Sequence, residues 1–250
     1  MMRSLLVVLL IFTSAVTFGQ NLEIRYKVIQ SISIALGEKR VKNMNIDYDG
    51  YVYQAGKKTI SFLKPLFLDK YPTGEILLWE GSNAYSHSLS VDTQQLIFLY
   101  DTDSMNMWKC LNSSDPETNM FITQKFEKNI TRWQILSDTK KLKGLTCKRA
   151  KLINAENELI CDIWYTTEVP NEYNLAGLTD LPGMIVSANY PMAGLSFELG
   201  EFKMGIDVNN DVFWPAEFRK AKFTSWPALL SNNRTSKPKL DKRAEIMNQQ

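Results

Sequence analysis

The sequence predicts a mainly β protein, built on an antiparallel sheet that curves or closes part-way into a half-barrel. Three segments carry this prediction. Residues 21–28 alternate apolar and polar side chains, which is typical of a strand with one buried face. Residues 144–153 and 159–166 are rich in strand-forming residues and flank a polar turn. Residues 195–206 alternate again, so strand patterns recur along the chain.

The first nineteen residues have the pattern of a secretory signal. Arg3 supplies a positive charge, residues 5–12 form an apolar run, and Thr17-Phe18-Gly19 is a small-x-small cleavage site. The apolar run is shorter than the roughly 20 residues that a transmembrane helix needs. We therefore expect export to the periplasm or beyond, a mature chain beginning at Gln20, and no transmembrane span.

Composition divides the rest of the chain into two parts. Residues 20–216 contain no linker rich in Pro, Gly or Ser, and we expect them to form a single β-rich domain. Residues 217–250 are basic, and residues 240–247 within them fit a short helix. Without Arg3 the chain has 28 basic and 27 acidic residues, and a net charge of +1 gives no support for nucleic acid as a partner.

Several strands are expected outside the central block. Asp49-Gly50 lies between two apolar runs and predicts a hairpin turn. Residues 76–79 and 96–100 are short continuous apolar runs, which are typical of buried strands. In residues 195–206 the alternation shifts phase at Gly200, where a β-bulge would place its extra residue.

The central block, residues 133–189, contains the clearest local signals. Residues 144–153 and 159–166 should pair antiparallel through a turn at residues 154–157. Leu181-Pro182-Gly183 has a tight-turn pattern, in which proline fixes φ and Gly183 takes a positive φ. We expect this turn to set the register between the strand that contains Trp164 and the strand that begins at Met184.

Four motifs of this block resemble the GLPGLI family, also called Porph_ging, of exported Bacteroidetes proteins. They are Trp133 followed by Thr139-Lys140, Gly144-x-x-Cys147-Lys-Arg-Ala, Trp164-Tyr165-Thr166-x-x-Val169-Pro170 and Gly177-Leu-x-x-Leu181-Pro182-Gly183-Met-Ile. The resemblance covers about residues 125–190. The sequence departs from the family pattern in two places. The eponymous Gly-Leu-Pro-Gly-Leu-Ile has Asp180 and Met184 in place of its first glycine and second leucine, and residues 173–177 replace an upstream Gly-Pro-Trp. The resemblance implies a secreted β-rich protein of undetermined biochemistry and carries over no catalytic residue. We expect the motif to act structurally, through Trp133, Cys147, Trp164, Tyr165, Leu181, Pro182 and Gly183.

His87 is the sole histidine and lies in a polar stretch, Ser86-His87-Ser88. With a serine and a distant aspartate it could form a hydrolytic triad. The chain has no Gly-x-Ser-x-Gly elbow to present a nucleophile. A surface or strand-edge histidine is the favoured interpretation.

The three cysteines, Cys110, Cys147 and Cys161, are widely spaced and include no Cys-x-x-Cys pair, so no zinc site is predicted. An exported protein is expected to hold one disulfide and one free thiol. The hairpin register would place Cys147 opposite Trp164, away from Cys161. Cys110–Cys147 is therefore the predicted disulfide.

Four acidic residues, Asp101, Asp103, Asp115 and Glu117, suggest a calcium loop or a carboxylate pair. They lack the glycine and distal glutamate of an EF-hand loop, so we interpret them as solvated loop charges.

Six tryptophans could line a binding surface, but aromatic residues dominate core burial, and we expect core packing to account for most of them. They are Trp79, Trp108, Trp133, Trp164, Trp214 and Trp226.

Two functions fit these observations best, and a structural envelope component with protein contacts alone is a third possibility. The favoured one is a non-catalytic exported protein of the cell envelope that binds an apolar small molecule or an outer-membrane protein, with no cofactor or metal. The alternative is a secreted hydrolase that uses His87 or a carboxylate pair.

Overall fold

A computed structural model describes residues 21–37, 40–111, 120–126, 131, 133–154, 156–216 and 222–225. The predicted signal segment and the predicted helix at residues 240–247 lie outside these ranges. The strands are β1 (Leu22–Ala35), β2 (Val41–Ala55), β3 (Lys58–Pro65), β4 (Glu75–Glu80), β5 (Asn83–Ser88), β6 (Gln95–Asp101), β7 (Asn106–Leu111), β8 (Met120–Lys125), β9 (Trp133–Leu142), β10 (Leu145–Ile153), β11 (Leu159–Thr166), β12 (Met184–Tyr190), β13 (Leu195–Met204) and β14 (Lys222–Ser225). The helical elements in the described ranges are short 3₁₀ turns at Phe67–Asp69, Leu175–Gly177 and Asn210–Phe213.

Twelve of the described strands form one open sheet, in the order β14-β8-β7-β6-β3-β2-β1-β13-β12-β11-β10-β9. Neighbouring strands pair antiparallel, except that β14 runs parallel to β8. Strands β4 and β5 form a separate two-stranded sheet. The predicted class, mainly β with a large antiparallel sheet, is confirmed.

Buried apolar clusters lie on both faces of the large sheet, the second of them over only part of its face. We call the face that carries Ile24, Tyr26 and Val28 the inner face. These residues belong to the largest buried cluster, which extends across the sheet from Leu63 of β3 to Cys147 of β10. On the opposite face, the buried Ile60 and Phe62 of β3 pack in a second cluster with Phe213. Strand β3 is buried on both faces and accordingly has a near-continuous apolar run, whereas β1 alternates apolar and polar residues and buries one face.

The predicted hairpin at Asp49-Gly50 is wrong, because β2 runs without interruption through both residues. Gly50 pairs with Tyr26 of β1 and with Leu63 of β3. A Cβ atom at Gly50 would lie 2.5 Å from Cδ2 of Leu175, which packs over this point of the inner face. The glycine leaves room for the side chain of Leu175, which is distant in sequence. In the sequence alone, a glycine that serves such a close approach looks the same as a glycine in a turn.

The predicted bulge at Gly200 is confirmed. Tyr26 pairs with Leu199 and Arg25 pairs with Glu201, so Gly200 is the extra residue on β13. Its position explains the phase shift in the sequence, because the bulge exchanges the faces on which successive residues lie.

The predicted central hairpin is also confirmed. Strands β10 and β11 pair antiparallel, with Lys148 opposite Tyr165. In the turn, Oδ1 of Asn154 accepts hydrogen bonds from the backbone N–H groups of Glu156 at 3.0 Å and Glu158 at 2.8 Å. The asparagine therefore holds the turn by bonding its own downstream backbone.

The run at residues 96–100 lies within β6, where Leu99 and Tyr100 are buried as predicted. The run at residues 76–79 forms β4, but it is buried on one face alone. Ile76 is fully buried, whereas Leu77 is 55% exposed and Trp79 is 69% exposed. The prediction of a fully buried strand is wrong there, because β4 belongs to a two-stranded sheet with one face on the core.

Candidate functional site

Residues 167–183 connect two neighbouring strands of the sheet by a long excursion. Thr166 pairs with Met184, so β11 and β12 are adjacent, yet the chain between them leaves the sheet and packs on the inner face. The backbone N–H of Met184 donates to the carbonyl oxygen of Val169 at 2.9 Å and closes the base of the excursion. Leu175, at its middle, is fully buried over Gly50.

Asn174 holds the excursion in place through its side chain. Its Nδ2 group donates to the carbonyl oxygens of Asn171 at 3.4 Å and Gly183 at 3.3 Å. Its Oδ1 atom accepts from the backbone N–H of Ile185 at 3.0 Å, at the start of β12. Since Asn174 is fully buried, these bonds satisfy polar groups that have no access to water. The sequence analysis did not single out this residue, and a lone asparagine gives no signal that would reveal its role.

Trp133, a residue of the predicted motif, ties the start of β9 to the excursion. Its indole Nε1–H donates to the carbonyl oxygen of Thr179 at 2.9 Å. Beside it, the backbone N–H of Thr131 donates to Oδ2 of Asp180 at 2.9 Å. The first and last motifs of the block therefore meet in space.

The Leu181-Pro182-Gly183 turn has a different basis from the predicted one. The backbone of Gly183 does not have a positive φ. A Cβ atom on Gly183 would instead lie 1.9 Å from the carbonyl oxygen of Thr166. The glycine is required because two backbone segments approach closely, and the expectation of a positive φ is wrong. Leu181 is buried and Pro182 is exposed.

Two other motif residues, Cys147 and Tyr165, are buried in the inner-face cluster. Trp164 is half-buried, with Nζ of Lys140 3.9 Å from its ring centroid. Arg149 lies farther from the ring and binds Asp162 through two bonds, from Nε to Oδ1 at 2.9 Å and from Nη2 to Oδ2 at 2.5 Å. The hydrogen bond from Arg149 lowers the pKa of Asp162. The carboxylate of Asp162 is thus held in its charged form, so its role is to pair with Arg149 and not to accept a proton.

An aromatic cluster packs between the excursion and strands β6 and β7. The rings of Tyr100 and Tyr173 stack with centroids 4.6 Å apart, and Phe126 lies edge-on to both. Burial raises the pKa of Tyr173 to about 12 and that of Tyr100 still further. Both phenols stay protonated at neutral pH and act as packing groups, not as bases.

His87 lies on β5 opposite Ile76 and is partly buried. Among the described residues, no hydrogen bond or ion pair joins its ring to a carboxylate or a serine. Ser86 and Ser88, its neighbours in sequence, alternate with it and so direct their side chains to the other face of the strand. The described residues therefore supply His87 with none of the contacts that a hydrolytic triad needs.

The predicted Cys110–Cys147 disulfide is wrong. All three cysteines lie in the described part of the chain, where each is a buried thiol that forms no disulfide. Cys110 belongs to the cluster on the opposite face of the sheet, whereas Cys147 and Cys161 belong to the inner-face cluster. Within the described residues, no group of three or more His, Cys, Asp and Glu side chains could hold a metal ion.

Of the four acidic residues, Asp115 and Glu117 lie outside the described ranges. Oδ1 of Asp101 accepts from the backbone N–H groups of Asp103 at 3.0 Å and Ser104 at 3.4 Å, so it caps the turn between β6 and β7. This arrangement is a local turn, and in the described part of the chain the hydrogen bonds of Asp101 come from backbone N–H groups.

Trp226 lies outside the described ranges, and three tryptophans, Trp108, Trp133 and Trp164, pack partly buried against the core clusters. Trp79 differs most from the expectation of core packing. With Leu77 it forms an exposed apolar surface on β4, opposite Ala84 and Ser86 of β5. We call this surface the Leu77–Trp79 face. Sequence periodicity cannot reveal it, since a continuous apolar run does not show which side is covered.

Comparisons with known proteins show the fold alone. A structure of PNGF-II is similar with a TM-score of 0.50 and 10% identity over 85% of this chain and 33% of that chain. A second structure of PNGF-II gives a TM-score of 0.49 and 12% identity over 86% and 32%. The chain thus spans about a third of the length of PNGF-II. A DUF1329 family protein from Desulfovibrio piger matches 84% of this chain and 96% of its own at 10% identity, with a TM-score of 0.24.

No protein-family model and no curated protein matches the chain. The resemblance to the GLPGLI family therefore stays a prediction. In the described part of the chain, no helix has the length and apolar character needed to cross a membrane.

Proposed function

We propose that the protein is an exported cell-envelope protein of the GLPGLI type that acts by binding another protein, without catalysis. The observation that carries this proposal is the packing of residues 167–183 on the inner face. Leu175 lies fully buried against Gly50. An apolar small molecule that bound to the inner face of the sheet would occupy this same position. The chain itself occupies that place, which favours a partner bound at the outer surface over a small apolar molecule.

Three further observations support a binding role. The motif residues make contacts within the fold: Trp133 donates a hydrogen bond to the backbone of Thr179, and Gly183 packs against the backbone of Thr166. Of the candidate catalytic residues, His87 lies on β5 opposite Ile76, and Asp101 accepts a hydrogen bond from the backbone of a turn. Trp79 is 69% exposed, and exposed tryptophans are common anchors of protein–protein interfaces.

The proposal is tested by isolating the tagged full-length protein from its native cell after chemical crosslinking in the intact envelope. We expect a defined partner protein, and a mature chain whose N-terminal sequence begins at Gln20. A matched His87→Ala variant should capture the same partner, because the proposal assigns the histidine no role. A mature chain that retains residues 1–19, or a protein that crosslinks to no partner under conditions that link known envelope complexes, would contradict the proposal.

A further inference from the structure

Strand β4 has a free edge that is unusually well suited to pairing. Within the described residues β4 pairs with β5 alone, and the small sheet packs on the core through Ile76. Two-stranded sheets are marginal without further strands or a packed face. The core contact holds the hairpin in place, while no described strand pairs with the other edge of β4.

The register shows which backbone groups point to that edge. The N–H of Leu89 donates to the carbonyl oxygen of Gly74 at 2.8 Å, one step beyond the paired residues Glu75 and Ser88. Because bonded and non-bonded pairs alternate in an antiparallel ladder, the backbone groups of Leu77 and Trp79 point away from β5. In the described structure no backbone or side-chain group bonds to them. The residues that form the exposed apolar face therefore also carry the open backbone donors and acceptors.

Strand β9, at one edge of the large sheet, shows how an edge is normally protected. Between the pairs Ile135–Ala150 and Thr139–Lys148 the ladder of β9 is irregular, since three residues of β9 face one of β10. The exposed Lys140 and Lys141 follow on the same strand. Bulges and lysines are the devices that prevent edge pairing. Strand β4 has neither: its register with β5 is unbroken from Glu75 to Glu80, and its centre is Ile-Leu-Leu-Trp.

We propose that an extended strand of a partner polypeptide pairs with the free edge of β4 and places alternate apolar side chains on the Leu77–Trp79 face. This inference rests on the proposed function and names the part of the surface that performs it. Backbone hydrogen bonds would supply general affinity, and the exposed side chains of Leu77 and Trp79 would select apolar residues at every second position of the incoming strand.

The size of the face favours a single strand over a second copy of this chain. Two partly exposed side chains, one of them a tryptophan, offer roughly 200–300 Å² of apolar surface. A stable dimer buries about 800 Å² on each partner. The exposed carboxylate of Glu75 lies at one end of the edge, and Glu80 at the other end pairs with Arg40. A basic residue on the incoming strand would complement Glu75.

The probe is a fluorescein-labelled peptide, Lys-Thr-Val-Thr-Val-Thr-Val-Thr-Lys, titrated with the full-length protein and followed by fluorescence anisotropy. We expect saturable binding that falls at least tenfold in Trp79→Ser and in Leu77→Ser. The matched control is Ile135→Ser, which removes a 50% exposed apolar side chain from the edge strand β9 and should leave binding unchanged. The same peptide methylated on alternate backbone nitrogens should not bind, because it cannot complete the ladder.

Equal binding by wild type, Trp79→Ser and Leu77→Ser, equal binding of the methylated peptide, or no saturable binding would each overturn the inference. A dimer in analytical ultracentrifugation that dissociates in Trp79→Ser would overturn it too, in favour of self-pairing. Crosslinking separates this inference from the proposed function. If the partner is captured equally by Trp79→Ser, only the β4 site fails; if wild type captures none, the proposed function fails whatever the peptide does.

Discussion

The indole N–H of Trp133 and the carbonyl oxygen of Thr179 lie 2.9 Å apart and form a hydrogen bond. The bond joins the first strand of the central block to the excursion that precedes its last strand. Because the two partners are 46 positions apart in sequence, the bond fixes long-range architecture and not a local turn.

Trp133→Phe should therefore destabilise the fold. The change keeps a large aromatic ring but removes the donor, which should cost about 1 kcal/mol of unfolding free energy. Urea unfolding followed by circular dichroism measures it. The control is Trp79→Phe, whose ring is largely exposed and should change the unfolding free energy by less than about 0.5 kcal/mol. Equal effects of the two substitutions would argue against a structural role of the indole.

Gly50 and Leu175 should behave as a coupled pair. Gly50→Ala adds a methyl group 2.5 Å from Cδ2 of Leu175 and should cost about 1–3 kcal/mol by overpacking. Leu175→Ala alone should cost about 2–5 kcal/mol through the cavity that it leaves. In the double variant the new methyl group occupies part of that cavity, so the cost should fall short of the sum by about 0.5–3 kcal/mol.

The control for this cycle is Gly50→Ala combined with Ile97→Val, a residue of the cluster on the opposite face. Those two effects should add to within about 0.5 kcal/mol. Additivity in the Gly50–Leu175 cycle as well would show that the excursion does not rest on Gly50.

The buried thiol of Cys161 should make the protein sensitive to alkali. Burial raises the pKa of Cys161 to about 12 in the folded state, against roughly 8.5 in the unfolded chain. A raised folded pKa means that the stabilisation is complete below the unfolded value and is lost as pH rises from about 8.5 toward 12. Between pH 7.5 and 9.5 the wild type should lose about 1.4 kcal/mol through this group.

The measurement is the unfolding free energy in urea under reducing conditions at the two pH values, for wild type and Cys161→Ala. The variant should lose less stability between pH 7.5 and 9.5 than the wild type does. An identical loss in both proteins would mean that Cys161 is not the group responsible.

The sequence allowed the local features of the fold to be predicted, because these depend on neighbours along the chain. The hairpin of β10 and β11 follows from strand-forming residues around an asparagine-rich turn, and the bulge at Gly200 follows from a phase shift. The prediction of a hairpin at Asp49-Gly50 was wrong because Gly50 makes room for the side chain of Leu175, which is distant in sequence. No local pattern separates a glycine in a turn from one beneath a packed side chain.

The candidate site was harder to predict for the same reason. Asn174 bonds three backbone groups that only the folded excursion brings together. The exposure of Trp79 depends on what the rest of the chain leaves uncovered. The predicted disulfide failed because Cys110 and Cys147 face opposite sides of one sheet, which sequence spacing does not reveal.

The central claim is that the Leu181-Pro182-Gly183 turn has a structural role: it holds residues 167–183 against the inner face. Thermal unfolding of Gly183→Ala tests it most directly, beside Pro182→Ala as a control at an exposed position. A methyl group at Gly183 would meet the carbonyl oxygen of Thr166 at 1.9 Å, and the backbone must shift to admit it. We expect a loss of about 1–3 kcal/mol for Gly183→Ala and of less than about 1 kcal/mol for Pro182→Ala. Below its transition the Gly183→Ala protein should still capture the wild-type partner. A Gly183→Ala protein that melts like wild type but no longer captures the partner would show that the turn is a recognition loop and would contradict the claim.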